Sequence, residues 1–174
     1  HTVEAVLREC STPPRFVLIT DRARPGLHPA VEAVAFDPYF LNPRFLTGAC
    51  TAKLVMFEKG VIPDDLPTVY LDLDTAILGD ISVGVALMRT RKSILMLQSV
   101  VLPFGWLGRL VYRLSGQRRY ARGNSSIVIF HPAECRFIAA KWRELWDAHE
   151  GYAIKPMKAD ERFISWVAQD RMMR

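Results

Sequence analysis

The run Thr68-Val69-Tyr70-Leu71 leads straight into Asp72-Leu73-Asp74, and no other stretch constrains the chain as tightly. Its apolar, β-forming residues read as a buried strand, fed by the turn Pro63-Asp64-Asp65-Leu66-Pro67. Side chains alternate along a strand, so Asp72 and Asp74 are expected on one face. Two carboxylates that close repel unless a cation lies between them or one keeps its proton. In an open α/β sheet, ligands bind beyond the carboxyl ends of the strands, which is where this pair falls. A hard divalent cation, Mn²⁺ or Mg²⁺, suits two carboxylates and leaves positions free for phosphate oxygens. The competing reading is an Asp that only closes a turn on its own backbone. Burying two like charges without compensation costs several kcal/mol, which favours a ligand over a turn.

Apolar periodicity places the other elements around this strand. The patterns predict a helix to Cys10, strands over Arg15–Thr20 and Val31–Phe36, and a helix over Thr47–Lys59 closed by Gly60. Lys53 is the only cation in that helix before Lys59, and periodicity alone sends its ammonium to solvent. Further along, Ser93–Val101 reads as a strand, Asn124–His131 as another, and Pro132–His149 as a helix. Ile138, Trp142, Leu145, Trp146 and His149 follow helical spacing and give that helix one core-facing stripe. A last helix opens at Asp160 and Glu161, whose acidity suits a helix N-terminus. Strands alternating with helices predict an α/β fold, a mixed sheet with helices on both faces. The 174 residues, half of them hydrophobic, suffice for a single domain over 1–174. Opening on a helix with no strand before it implies a strand upstream of His1.

Charge and cysteine content narrow the function classes. The net charge of +5 is partly local, with Arg109, Arg113, Arg118, Arg119 and Arg122 inside one short segment. Such a patch suits phosphates or an anionic membrane surface. No nucleic-acid-binding signature accompanies it, so nucleic acid is not an expected partner. The apolar run Ile94–Leu114 is long enough to span a bilayer, but Gln98, Pro103, Arg109 and Arg113 interrupt it. A strand followed by a packed loop is expected, with a core strand and a basic amphipathic turn that touches a membrane as the alternative. Cys10, Cys50 and Cys135 have no metal-ligand spacing and read as buried free thiols in a reducing, cytoplasmic setting.

The run "YLDLDTAILGDI" resembles the DxD segment of GT-A-fold glycosyltransferases, particularly the family 8-like bacterial nucleotide-sugar transferases. Three further segments resemble that family in its order: Thr51–Glu58, Gly123–Pro132 and Ala159–Ala168. The resemblance implies a GT-A fold and transfer of a sugar from a nucleotide-diphosphate-sugar, a UDP-sugar first of all. The implied acceptor is a sugar, a lipid-linked or a protein group, as in cell-surface polysaccharide synthesis, with work done in the cytoplasm or at the inner membrane. By the same resemblance, Asp72 and Asp74 hold Mn²⁺ (or Mg²⁺), and Lys53, Asp72, Asn124 and Ser125 contact the donor. Asp160 and Glu161 are the implied catalytic pair. The chain departs from the family at Glu161, where Gln is usual, and at Ser126, where Gly is usual. The family's nucleobase-holding first strand and its late His-containing segment have no counterpart here, so the resemblance implies a chain truncated at both ends.

Two other classes fit parts of the pattern. "DLDTAIL" is similar to the first motif of haloacid-dehalogenase-like phosphatases, with Asp72 as nucleophile and Asp74 as general acid on Mg²⁺. Ala76 stands where that motif needs a hydroxyl or Val. A non-catalytic α/β module binding a membrane or partner through Phe104–Tyr120 is the third reading.

Overall fold

A computed structural model describes residues 2–47, 50–98 and 102–173. Helices and strands follow in the order α1 (Thr2–Glu9), β1 (Phe16–Thr20), β2 (Val31–Ala35), α2 (Pro43–Leu46), β3 (Thr68–Leu71), α3 (Ser82–Ala86), β4 (Ile94–Gln98), α4 (Trp106–Leu114), β5 (Gly123–Phe130), α5 (Pro132–Cys135), α6 (Phe137–His149), α7 (Asp160–Val167) and β6 (Met172–Met173). The fold is α/β with mixed strand directions. The strands form two sheets rather than the one expected. β1 and β2 pair in parallel by themselves, and the other four take the order β3-β5-β4-β6. In the second sheet β5 runs antiparallel to both β3 and β4, while β6 runs parallel to β4. β6 is two residues long and carries no periodic signal.

Register in the larger sheet builds one irregularity that matters. β4 and β5 pair as Met96↔Val128, and the next step pairs Leu97 with Asn124. The three intervening β5 residues bulge out of that ladder, as strands often do beside functional sites. Asn124 stabilises the bulge by accepting from Ser126 N through its side-chain oxygen at 2.8 Å. Gly123 is required at its base, since a Cβ there would meet the Met96 side chain at 2.8 Å.

The core is aromatic. Phe45, Trp142, Trp146 and Phe163 pack at ring separations of 4.5 to 5.9 Å, and Phe57 meets Phe130 at 4.7 Å. The stripe expected on α6 is core at Ile138, Trp142 and Trp146, which are buried, while His149 at its end is exposed. The helix expected over Thr47–Lys59 is instead a 3₁₀ segment, Thr51–Phe57, entered through Cys50 with φ of 50°. Its end of the prediction at Gly48 and Ala49 lies outside the described residues. Every side chain of the segment except Lys53 is buried, so packing on all sides overrides the one-faced α pattern. Gly60 closes it with φ of 82°. The predicted Pro132–His149 helix is split at Arg136 into α5 and α6. The strand predicted over Ser93–Val101 covers Ile94–Gln98, and Ser99–Val101 lie outside the described residues. Among the described residues, no helix is long and apolar enough to cross a membrane. All three cysteines are free thiols, but only Cys135 is buried, its thiol pushed up to about 12 by burial.

Candidate functional site

Lys53 stands at the centre of a small ionic cluster. Its Nζ lies 2.8 Å from Asp72 Oδ1 and 3.1 Å from Oδ2, and 3.3 Å from Asp160 Oδ2. Ser125 Oγ donates to Asp160 Oδ2 at 2.6 Å and accepts from Lys53 at 3.4 Å. Tyr70 OH donates to Asp72 Oδ1 at 2.9 Å, and its ring lies 5.3 Å from the Lys53 ammonium. Four chain segments thus meet just past the end of β3. The Lys53 side chain keeps only 13% of its exposure, which overturns the expectation that it reaches into solvent. The 3₁₀ segment explains the change: with every neighbour buried, its one cation is held inside and needs anionic partners.

Each partner is positioned by its own element. Asp72 continues the β3 ladder by one bond, Asp72 N to Ser126 O at 3.0 Å. The chain then turns, with Thr75 N donating to Asp72 O at 3.0 Å. Strand alternation therefore does not reach Asp74, which sits exposed on that turn next to the 87% exposed Leu73. The shared strand face expected for Asp72 and Asp74 is corrected accordingly: the strand ends at Leu71. The loop is pinned again at Asp80, which accepts from Ser11 Oγ at 2.7 Å and from Ser82 N at 2.8 Å. Hydrogen bonds from Ser82 and then Ser11 hold the Asp80 carboxyl well below the usual range.

Asp160 comes from the first turn of α7, but not as its cap. Ala159 occupies the cap position, and the Asp160 carboxylate is buried against Ser125 and Lys53. The far end of α7 is bolted to the start of β5. Ser165 Oγ accepts from Gly123 N at 2.9 Å, and Gln169 exchanges hydrogen bonds with both backbone groups of Ala121 at 2.7 and 3.1 Å. These bonds fix α7 against the strand that carries Ser125.

The electrostatics follow from this packing. Burial alone would lower the Lys53 pKa, but Asp72 and Asp160 outweigh it and hold the ammonium above its ordinary value. Burial, then the bond to Asp72, pushes the Tyr70 hydroxyl far up, so it stays a donor. Of the residues singled out in the sequence, Lys53, Asp72, Ser125 and Asp160 are brought together. Asn124 instead serves the β5 bulge. Glu161 lies on the side of Tyr120, whose hydroxyl it helps to raise, after burial. Asp74 stays at the exposed rim. Sequence reasoning missed Tyr70, although its position two residues before Asp72 puts both on one strand face. It also missed Ser165 on α7 and Gln169 just past its end, whose side chain donates back to Ser165 O at 2.9 Å.

No protein-family model matches the chain, and no curated protein matches it. The site is therefore read from its own chemistry. Among the described residues no three His, Cys, Asp or Glu side chains gather into a metal cage. Asp72 accepts hydrogen bonds from Lys53 on Oδ2 and from Tyr70 on Oδ1, and the ammonium also lies 2.8 Å from Oδ1, so much of its lone-pair capacity is engaged. The exposed Asp74, two residues on, is the other carboxylate at this end of β3 that could hold a cation. Such a ligand suits Mg²⁺ or Mn²⁺ sharing its sphere with phosphate and water.

Proposed function

We propose that the chain is a GT-A-type glycosyltransferase that moves a sugar from a nucleotide-diphosphate-sugar, a UDP-sugar first of all, to an acceptor. The convergence of Lys53, Asp72, Ser125 and Asp160 past the end of β3 carries this reading. Those four residues come from the same four segments that resemble the family. Lys53 keeps a permanent positive charge beside the rim where a diphosphate would lie, and low dielectric strengthens its pull on developing negative charge. Its 3.4 Å bond to Ser125 is the longest in the cluster and the one a ligand oxygen replaces most readily.

Ser125 and Asp160 offer a hydroxyl and a carboxylate for sugar hydroxyls, with Asp160 as the buried acidic partner and Glu161 next to it on α7. Asp72 orients Lys53. Asp74 is the main cation ligand. The divalent ion, when bound, neutralises charge on the departing diphosphate. The three free cysteines suit a reducing, cytoplasmic setting. The phosphatase reading draws less support, because the would-be nucleophile Asp72 is engaged on both oxygens by Lys53.

A thermal-shift panel with UDP, GDP, CMP and ADP, each with and without Mn²⁺, tests the proposal. A nucleotide at 100 times its dissociation constant should stabilise by about 2.7 kcal/mol. The expected result is a shift by one nucleotide that needs Mn²⁺ and disappears in Asp74→Asn. Hydrolysis of p-nitrophenyl phosphate with no nucleotide response would instead select the phosphatase.

A further inference from the structure

Helix α4 is amphipathic in the wrong sense for a water-facing helix. Gly108 and Tyr112 are its buried residues. At 3.6 residues per turn these two share one face, while Trp106, Leu110 and Leu114 share the opposite one. The latter are 76%, 43% and 79% exposed. A helix on a globular surface normally turns its apolar stripe to the core. Here the orientation is enforced by Gly108, where a Cβ would meet the Pro103 carbonyl oxygen at 2.4 Å. Rolling the leucines inward would break that close approach.

The stretch of sequence that carries α4 is one-signed. Between Asp80 and Glu134 the chain carries eight Lys and Arg residues and no Asp or Glu. Arg113, Arg118 and Arg119 are exposed, Arg113 while also paired with Asp170 at 3.1 Å. An occupant of this face must therefore be both apolar and anionic. Nucleic acid would meet the arginines but leave Leu110 and Leu114 in water. A second copy docked two-fold through α4 would set the same arginines near each other. An anionic bilayer satisfies both demands at once, with Trp suited to the headgroup level.

We propose that α4 is an in-plane anchor for an anionic lipid surface. Trp106, Leu110 and Leu114 enter the acyl boundary, and Arg113, Arg118 and Arg119 meet lipid phosphates. This assignment stands apart from the transferase proposal and needs no nucleotide.

Flotation of the full chain with phosphatidylcholine vesicles, with and without phosphatidylglycerol, tests it. Binding is expected only to the anionic vesicles, weakening as salt rises. Leu110→Glu with Leu114→Glu, and separately Arg118→Glu with Arg119→Glu, should each lower it about tenfold or more. All four positions are exposed, so the variants should melt with the parent. Brominated acyl chains provide a second readout: they should quench the parent's tryptophan emission, and Trp106→Phe should lose most of that quenching. Equal binding to neutral vesicles, or no binding, would overturn the proposal. So would a dimer that Leu110→Glu dissociates in place of vesicle binding.

Discussion

Lys53 and Arg143 each stand between two carboxylates, and the two arrangements differ in what they leave open. Arg143 on α6 reaches Asp37 at 3.0 Å and Glu58 at 2.9 Å, and its guanidinium lies over the Tyr39 ring at 4.0 Å. Its planar fork is divided between the two acids and covered by an aromatic face, the geometry of a structural tie. Lys53 is more deeply buried, and beside its two carboxylates it meets the hydroxyl of Ser125 rather than a covering ring. An ammonium is a compact point charge that can exchange one oxygen partner for another. The same charge count thus serves as a clamp in one place and as a receptive site in the other.

The largest effect should come from Lys53→Met. It leaves Asp72 and Asp160 without their shared cation, and breaking a buried pair costs about 3 kcal/mol. A lower urea midpoint together with complete loss of any nucleotide response should appear. Arg143→Met should destabilise by about 2 kcal/mol, because its partners are more exposed and can hydrate. Nucleotide affinity should stay unchanged. Exchange of the two cation types sharpens the contrast. Arg143→Lys loses the fork and stacking and should cost about 1 kcal/mol, whereas Lys53→Arg should harm affinity more than stability, since a wider head must fit between Asp72, Asp160 and Ser125.

A pH series separates the Lys53 charge from its packing. Its folded pKa lies above the ordinary 10.5. The stability that this charge contributes is complete below 10.5 and is lost as pH rises through the folded value. The gap in urea midpoint between parent and Lys53→Met should be flat from neutral pH to about 10 and should shrink beyond it. A gap that is unchanged at alkaline pH would mean that packing, not charge, sets it. A modest effect, comparable with that of Arg143→Lys, is expected from Gln169→Ala. It strands the backbone groups of Ala121 and should cost about 1–2 kcal/mol. It should also weaken nucleotide binding by a few-fold by loosening α7 against β5.

How much of this was legible in the sequence depends on distance along the chain. The apolar run before Asp72 identified β3 and the end at which the ionic cluster gathers, because strand period and acid position are local facts. Ser125 and Asp160 were reachable only through resemblance, since the β5 bulge and the packing of α7 are products of register and long-range contact. The Lys53 error shows the limit of periodicity: a segment buried on all sides has no solvent face for a cation to seek. The cap reading of Asp160 failed for a related reason, as a buried ammonium nearby competes for the same carboxylate. The separate β1–β2 sheet escaped notice because parallel strands normally need a longer crossover than the loop between Thr20 and Val31. The outward apolar side of α4 was half visible, as a basic amphipathic turn. Its direction came from Gly108, whose role depends on Pro103.

Calorimetric titration of the nucleoside diphosphate that gives the largest thermal shift, with Mn²⁺, into the parent, Lys53→Met and Arg143→Met is the most direct test of the contrast between the two clusters. Binding to the parent and to Arg143→Met with equal affinity, and none to a folded Lys53→Met, is the predicted result. Equal binding to Lys53→Met, or no binding to the parent, would contradict the assignment of this cluster as a nucleotide-sugar site.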